Sequence, residues 1–554
     1  MADAATAAGL SESAAGPREV RAAGAETSPP KTAVIVVHGM GEQKPLDTIK
    51  SFVETVYQRG GADPSRLRQI AIVPDTAFDS AELRRLSTQK DGPAKRTDFF
   101  EFYWADIMDG TPVEMVQAWI DMLLLRSPWR VPWHWRVYLA WFLLWVLALL
   151  VLFCAIGTVY PQLADSFGPL PGLLKWVREH HSVIGQAGYV LGIVSLALAV
   201  GKGLRGGARR IEATPLWTPF ILLAGGLALA VWPESFIVDT HLLMAAVTAG
   251  LAWLMHAVVA PFLGDVVRYV RANPSTVERR RLIRARGLAL LEAIHAKRAD
   301  SSTQWNFTKA EGAGVPAYDR IVIVAHSLGT MVAYDILQMF WEKYGPTHHQ
   351  DWDADADQMQ DRLDAVDRFV RQQWVDRPPR PFELADFLTA QDELREKLRQ
   401  QSPHWRLTDF ITLGSPLVHA EFLAADGAAD LKSAFEQRRF ATCPPHPDPL
   451  LGSMLYPVRE GGPRYPHFAA QFAAVRWTNI CDETWFPLFG DLVSGQLRPI
   501  FGNGIVEYND AIRRPWPFTR VFTHTQYWTW NDRYLKTGIP DHIRHLRDAL
   551  KLDP

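Results

Sequence analysis

Ser327 stands in "IVIVAHSLGT", residues 321–330, where a run of β-branched apolar residues stops at His326-Ser327-Leu328-Gly329. A serine hydroxyl is a poor nucleophile unless a base takes its proton and donors stabilise the developing oxyanion. A tight turn from strand into helix meets part of that need, because it exposes Oγ and aims a helix N-terminus at the reacting carbonyl. Such a turn is crowded, so the residues two before and two after the serine must be small. Here they are Ala325 and Gly329. An ordinary serine N-cap could also follow a strand, but the pure apolar strand before Ser327 and the apolar helix expected over 330–340 favour the nucleophile.

A second apolar strand, Ala33–Val37, ends at "VIVVHGMGE", and "ITLGSPL", "NICDE" and "HTQYW" follow downstream. In this order the pieces resemble the α/β-hydrolase superfamily, most closely its lipase- and esterase-type members. The likeness covers roughly residues 31–110 and 275–535. It departs in placing Ala325 where the family has glycine, and in a long insertion between the two parts. The resemblance implies an α/β-hydrolase fold, a mainly parallel sheet flanked by helices, acting without cofactor or metal. It also implies an oxyanion hole built from the backbone N–H of Met40, after the His38-Gly39 turn, and that of Leu328, after the serine. His38 is then expected to brace its turn rather than act as base, and His326 to point away from Oγ as a further support.

The family order is nucleophile, acid, histidine. Asp482 ends "AVRWTNICDETW", where a strand hands over to a loop, and a carboxylate there can reach a histidine Nδ1 and hold its tautomer. Glu483 is the neighbouring alternative and Asp491 a weaker one. Downstream of Asp482 stand only His524, His542 and His545. The last two lie on "PDHIRHLRDALK", an amphipathic C-terminal helix, whereas His524 follows a strand and precedes Tyr527 and Trp528. The expected catalytic set is therefore Ser327, His524 and Asp482.

These residues need a scaffold. "RQIAIVP" at 68–74, "DFFEFYWADI" at 98–107, "DFITLG" at 409–414, "AAVRWTN" at 473–479 and "FTRVFT" at 518–523 read as strands. With helices expected over 45–57, from Pro274 to about His295, and over 330–340, strands alternate with helices as in a parallel α/β sheet. The charged stretch at about 345–405 reads as a cap or lid inserted in that fold. Its Asp351, Asp353, Asp355, Asp357 spacing lacks the central Gly and terminal Glu of a calcium loop. Three cysteines in 554 residues support neither a disulfide framework nor a zinc site.

Bulk composition looks soluble, at 21% charged residues and net charge −2, but residues 137–263 are nearly all apolar or small. The basic residues form no interleaved basic–aromatic surface, so a nucleic-acid partner is not expected. Residues 1–30 have the Ala, Gly, Ser and Pro content of a disordered lead-in. The expected organisation is a first hydrolase part at 31–125, a transmembrane insert at 126–270, and a second hydrolase part at 271–554. Four spans are expected, at 137–159, 183–200, 217–232 and 242–263; the middle two are short. Arg126, Arg130 and Arg136, then Lys202, Arg205, Arg209 and Arg210, then Arg268 and Arg271 fall on one side of such an arrangement. The opposite loops hold only Lys175 and Arg178. Positive residues mark the cytoplasmic side, so an integral multi-pass protein with its catalytic domain facing the cytoplasm is expected. An even number of crossings also lets the two flanks build one site. The expected partners are the bilayer and a lipid or other hydrophobic ester. An acyltransferase using the same acyl-enzyme, or an inactive membrane scaffold with a hydrolase fold, are the alternatives.

Overall fold

The protein is described from a computed structural model. It describes residues 31–39, 44–108, 269–270, 277–297, 316–346, 356–377, 381–401, 405–457, 462–483, 490–512 and 523–552. Positions 62, 76, 79, 81, 89–95 and 492 are left out of those ranges, and 138, 141, 142, 145, 146 and 149 are added to them. The expected spans therefore lie outside the described residues, except for those six positions of the first. So do the expected strand at 518–522 and Met40. Among the described residues, no helix is long and apolar enough to cross a membrane.

An eight-stranded sheet runs in the order β10-β9-β6-β5-β1-β4-β3-β2. Its strands are β1 (Thr32–Val37), β2 (Ile70–Val73), β3 (Arg85–Thr88), β4 (Thr97–Phe102), β5 (Arg320–His326), β6 (Leu407–Leu413), β9 (Arg476–Cys481) and β10 (Val506–Asn509). Strands β4, β1, β5, β6, β9 and β10 are parallel, while β3 pairs antiparallel with both β4 and β2. A separate small ribbon pairs β7 (Leu455–Pro457) with β8 (Arg464–Pro466). Every residue of β1 and the run Ile321–Ala325 of β5 is buried, as expected for β-branched strands covered on both faces.

Strand periodicity sorts those side chains into two layers. Ala33, Ile35 and Val37 join Ile321, Ile323 and Ala325 in one core. Val34 and Val36 join Val322 and Val324 in the other. The first core packs against helices α2 (Val277–Ala296) and α3 (Gly329–Tyr344), and the second against α1 (Asp47–Val53) and α7 (Asp541–Leu550). The result is a three-layer α/β architecture with a mostly parallel sheet. From β1 the chain departs toward β4 on one side and later returns to β5 on the other. Such a reversal opens a crevice at the carboxyl ends of the strands.

The described helices of the charged segment at 345–405 pack on the body of the fold. They are α4 (Ala356–Trp374) and α5 (Leu384–Gln401), whose Met359, Leu363, Val366, Val370, Phe387, Leu394 and Leu398 enter the first core. The Gln391 amide donates to the carbonyls of Phe472 (2.8 Å) and Val475 (2.9 Å), and Arg395 donates to those of Thr408 and Ala474 (both 3.1 Å). Those acceptors flank the amino ends of β6 and β9, the end of the sheet away from Ser327. The expected cap or lid is corrected for these two helices, because their apolar stripe is spent on the core while most of their charged residues stay outside it. Helix α6 (Ala428–Glu436) follows β6.

Candidate active site

Ser327 follows β5 directly and carries φ +53, a left-handed conformation that costs a non-glycine residue on the order of 1–3 kcal/mol. Its neighbours hold that strain. The Ser327 N–H donates to the Leu413 carbonyl (3.0 Å), extending the ladder to β6. The Ser327 carbonyl accepts from the Thr330 N–H (2.9 Å) and hydroxyl (2.7 Å), and Thr330 Oγ1 lies 2.8 Å from Ser415 Oγ. Helix α3 starts at once, with Leu328 in αR geometry as its N-cap, so the Leu328 N–H belongs to the donors a helix N-terminus leaves free.

The turn after β1 lies against this elbow. A Cβ on Gly39 would come 2.8 Å from Ser327 Cβ, and one on Gly329 would collide with the His38 carbonyl oxygen. Both positions need glycine because the two backbones touch there. His38 braces the turn: its Nε2 accepts the Trp104 N–H (3.2 Å), and its Nδ1–H donates to the Gly39 carbonyl (2.9 Å). Its ring also stacks on Trp104, with centroids 5.1 Å apart. Burial pushes His38 down to about 4, which suits a neutral brace.

His524 Nε2 lies 2.7 Å from Ser327 Oγ. Its Nδ1 lies 2.9 and 3.0 Å from the two carboxylate oxygens of Asp491. With Nδ1–H donating to the carboxylate, Nε2 is free to accept the serine proton. His326, just before the serine, donates from Nε2 to the His524 carbonyl (2.8 Å), so it positions the partner histidine instead of facing Oγ. Burial, and secondarily the neighbouring His524, lowers His326 to about 3.

Asp482 is not the carboxylate on His524. It is fully buried, and its Oδ2 accepts from the Thr523 hydroxyl (2.7 Å), while its carbonyl accepts the Asp491 N–H (3.1 Å). Asp482 thus supports the backbone on both sides of the pair, and Asp491 takes the place expected for it. The correction has a physical basis. Asp491 Oδ1 also accepts the Val493 N–H (2.8 Å), and its Oδ2 accepts the Tyr527 hydroxyl (2.7 Å), which in turn lies 2.8 Å from Ser494 Oγ. Burial alone would raise the Asp491 carboxyl, but His524, Tyr527 and Ser494 outweigh it and hold Asp491 at about 2. Glu483 instead donates its N–H to Asn509 Oδ1.

The other two histidines stay away from the serine. His545 Nδ1 pairs with Asp510 Oδ2 (2.7 Å) and its ring stacks on Tyr508, and His542 is buried on the same helix, α7. Tyr527, Trp104, Thr330 and Ser415 enter the site without having been singled out for these contacts. A tyrosine three residues past His524 was the one available signal. Ser327, His524 and Asp491 thus form a hydrogen-bonded relay at the carboxyl ends of β5, β9 and the segment leading to His524, arranged to move a proton off a serine. No protein-family model, no curated protein and no solved structure matches the chain.

Proposed function

We propose that the chain is a membrane-anchored serine hydrolase of the α/β-hydrolase superfamily that cleaves lipid-like carboxylic esters. One observation carries the proposal: Ser327 Oγ, His524 and Asp491 stand in sequence within hydrogen-bond reach. The parallel sheet, the strained serine turn and the order serine, aspartate, histidine along the chain support the same assignment. Ser327 Oγ attacks the acyl carbonyl while His524 Nε2 takes its proton. Asp491 stabilises the imidazolium so formed, and the Leu328 N–H, with that of Met40, receives the oxyanion. The imidazolium returns its proton to the departing alcohol as the acyl–oxygen bond breaks. Water then attacks the acyl-enzyme and gives its proton to His524, which returns it to Ser327 Oγ as the acyl–serine bond breaks and the acid leaves.

The lipid assignment rests on where the insert joins the fold. Met108, beyond β4, and Tyr269, ahead of α2, are buried in the same core. Strand β4 points its carboxyl end the same way as β5. Helix α2 runs beside α3 in the same direction, with Arg284 against Asp335 and Lys343 against Glu292. Both junctions therefore lie at the end of the sheet that carries Ser327, and four spans between them would hold the serine close to a bilayer. A long acyl chain then enters without crossing water, which is worth roughly 0.8 kcal/mol per methylene. In membrane-reconstituted protein, turnover of bilayer acylglycerol should exceed that of short-chain nitrophenyl esters after correction for local concentration, and Ser327→Ala should abolish both. Rapid short-ester hydrolysis without lipid turnover would contradict the lipid assignment.

A further inference from the structure

A cavity of about 430 Å³ opens beside the first turns of α3. Met331 lines it, four residues and therefore ~6 Å of helix beyond Ser327. Leu417 lines it too, from the turn whose Ser415 hydroxyl meets Thr330. Tyr269, at the return of the insert, and Arg280 and Arg284, on consecutive turns of α2, form the facing wall.

The charges of this cavity do not all cancel locally. Arg284 pairs with Asp335 (2.6 Å), whose same oxygen also accepts the Tyr269 hydroxyl (2.8 Å). Arg439 pairs with Asp430 (3.0 Å) on the opposite wall. Arg280 is left over. Its guanidinium lies over the Tyr269 ring at 5.6 Å, alongside that of Arg284 at 5.7 Å. Its Nε is buried with no hydrogen-bond partner among the described residues. Among the described residues that line the cavity, the remaining carboxylate, Asp426, lies at the exposed rim, where solvent weakens its hold on Arg280. A half-buried cation with an unmet donor, next to a second cation, recovers its desolvation cost when an anion enters.

We propose that this cavity binds the phosphate of an anionic lipid ester, so that the enzyme selects substrates carrying a phosphorylated alcohol. The proposal rests on the serine-hydrolase reading and names its substrate class. Arg280 offers the planar guanidinium fork that matches phosphate oxygens, and Arg284 adds the second positive charge. Met331, Leu417 and Phe440 supply apolar wall to the same cavity.

The test compares 1-acylglycerol 3-phosphate with the 1-acylglycerol of the same chain, using the full protein in a neutral ether-linked detergent. Wild type should favour the phosphate ester, and Arg280→Ala should lower the ratio of the two kcat/KM values on the order of tenfold or more. Arg280→Lys, which keeps the charge without the fork, should lower it less and serves where alanine is not tolerated. An unchanged ratio in both variants overturns the proposal. Calorimetry with glycerol 3-phosphate and inorganic phosphate reads the cavity without turnover. Binding of glycerol 3-phosphate that Arg280→Ala abolishes supports the site even if the serine proves inert, whereas binding that persists, or none in wild type, overturns it. Inorganic phosphate bound through Arg280 with no effect on ester selectivity would assign the cavity to free anion and overturn the headgroup role.

Discussion

At the scale of residues, the distinction between Asp482 and Asp491 decides how the proposed proton relay works. Asp491 accepts from His524, Val493 and Tyr527, whereas the Asp482 carboxylate accepts from the Thr523 hydroxyl. Asp491→Asn should therefore lower kcat on the order of 10⁴-fold, because the amide favours the wrong tautomer of His524. Asp482→Asn should cost far less, through a weakened contact to Thr523. Steady-state ester hydrolysis by the two variants checks this, and the reverse ranking would restore Asp482. Sequence made Ser327 and His524 legible because the strand-turn-helix pattern and the shortage of downstream histidines narrow each choice to one residue. It did not separate the acids, since both follow the same strand and the Asp491 N–H returns to the Asp482 carbonyl. That return is a tertiary fact with no local signature.

At the scale of elements, Glu101 shows how β4 holds the turn after β1. It is fully buried in the middle of the sheet, and its Oε2 accepts the Leu46 N–H (2.7 Å) ahead of α1. Trp104, just past β4, grips His38 at the other end of the same turn. Burial raises the Glu101 carboxyl to about 7, with the Leu46 N–H opposing and Asp47 adding to the rise. Between its ordinary 4.5 and about 7, the folded chain keeps a proton that the unfolded chain has lost. Stability should thus fall as pH rises through that window and level off above it, by roughly 3 kcal/mol from this group. Glu101→Gln, which stays neutral, should flatten the decline in Tm between pH 5 and pH 8, and parallel declines in the two proteins would contradict the assignment. The apolar runs of β1, β5, β6 and β9 were readable as strands. Strands β3 and β10 were not, because "RLST" and "VEYN" are short, half polar and held by pairing more than by intrinsic pattern. Helices α4 and α5 read as a lid in sequence because charge dominates their composition, while their buried stripe faces the core.

At the scale of the whole molecule, the proposal joins a soluble α/β body to four spans whose junctions sit at the catalytic end. If those four spans cross the bilayer, the arginine distribution is expected to put residue 275 on the cytoplasmic side and residue 235 beyond the membrane. In a background lacking Cys154, Cys443 and Cys481, an impermeant maleimide should label a cysteine at Ser235 and spare one at Ser275. The opposite pattern would invert the topology. The most direct measurement of the chemistry is the intact mass of the protein after reaction with a fluorophosphonate, followed by mapping of the adduct. A single phosphonyl group on Ser327 is expected, absent from Ser327→Ala and strongly slowed in His524→Ala. An adduct on another residue, or equal labelling of Ser327→Ala, would contradict the serine assigned here.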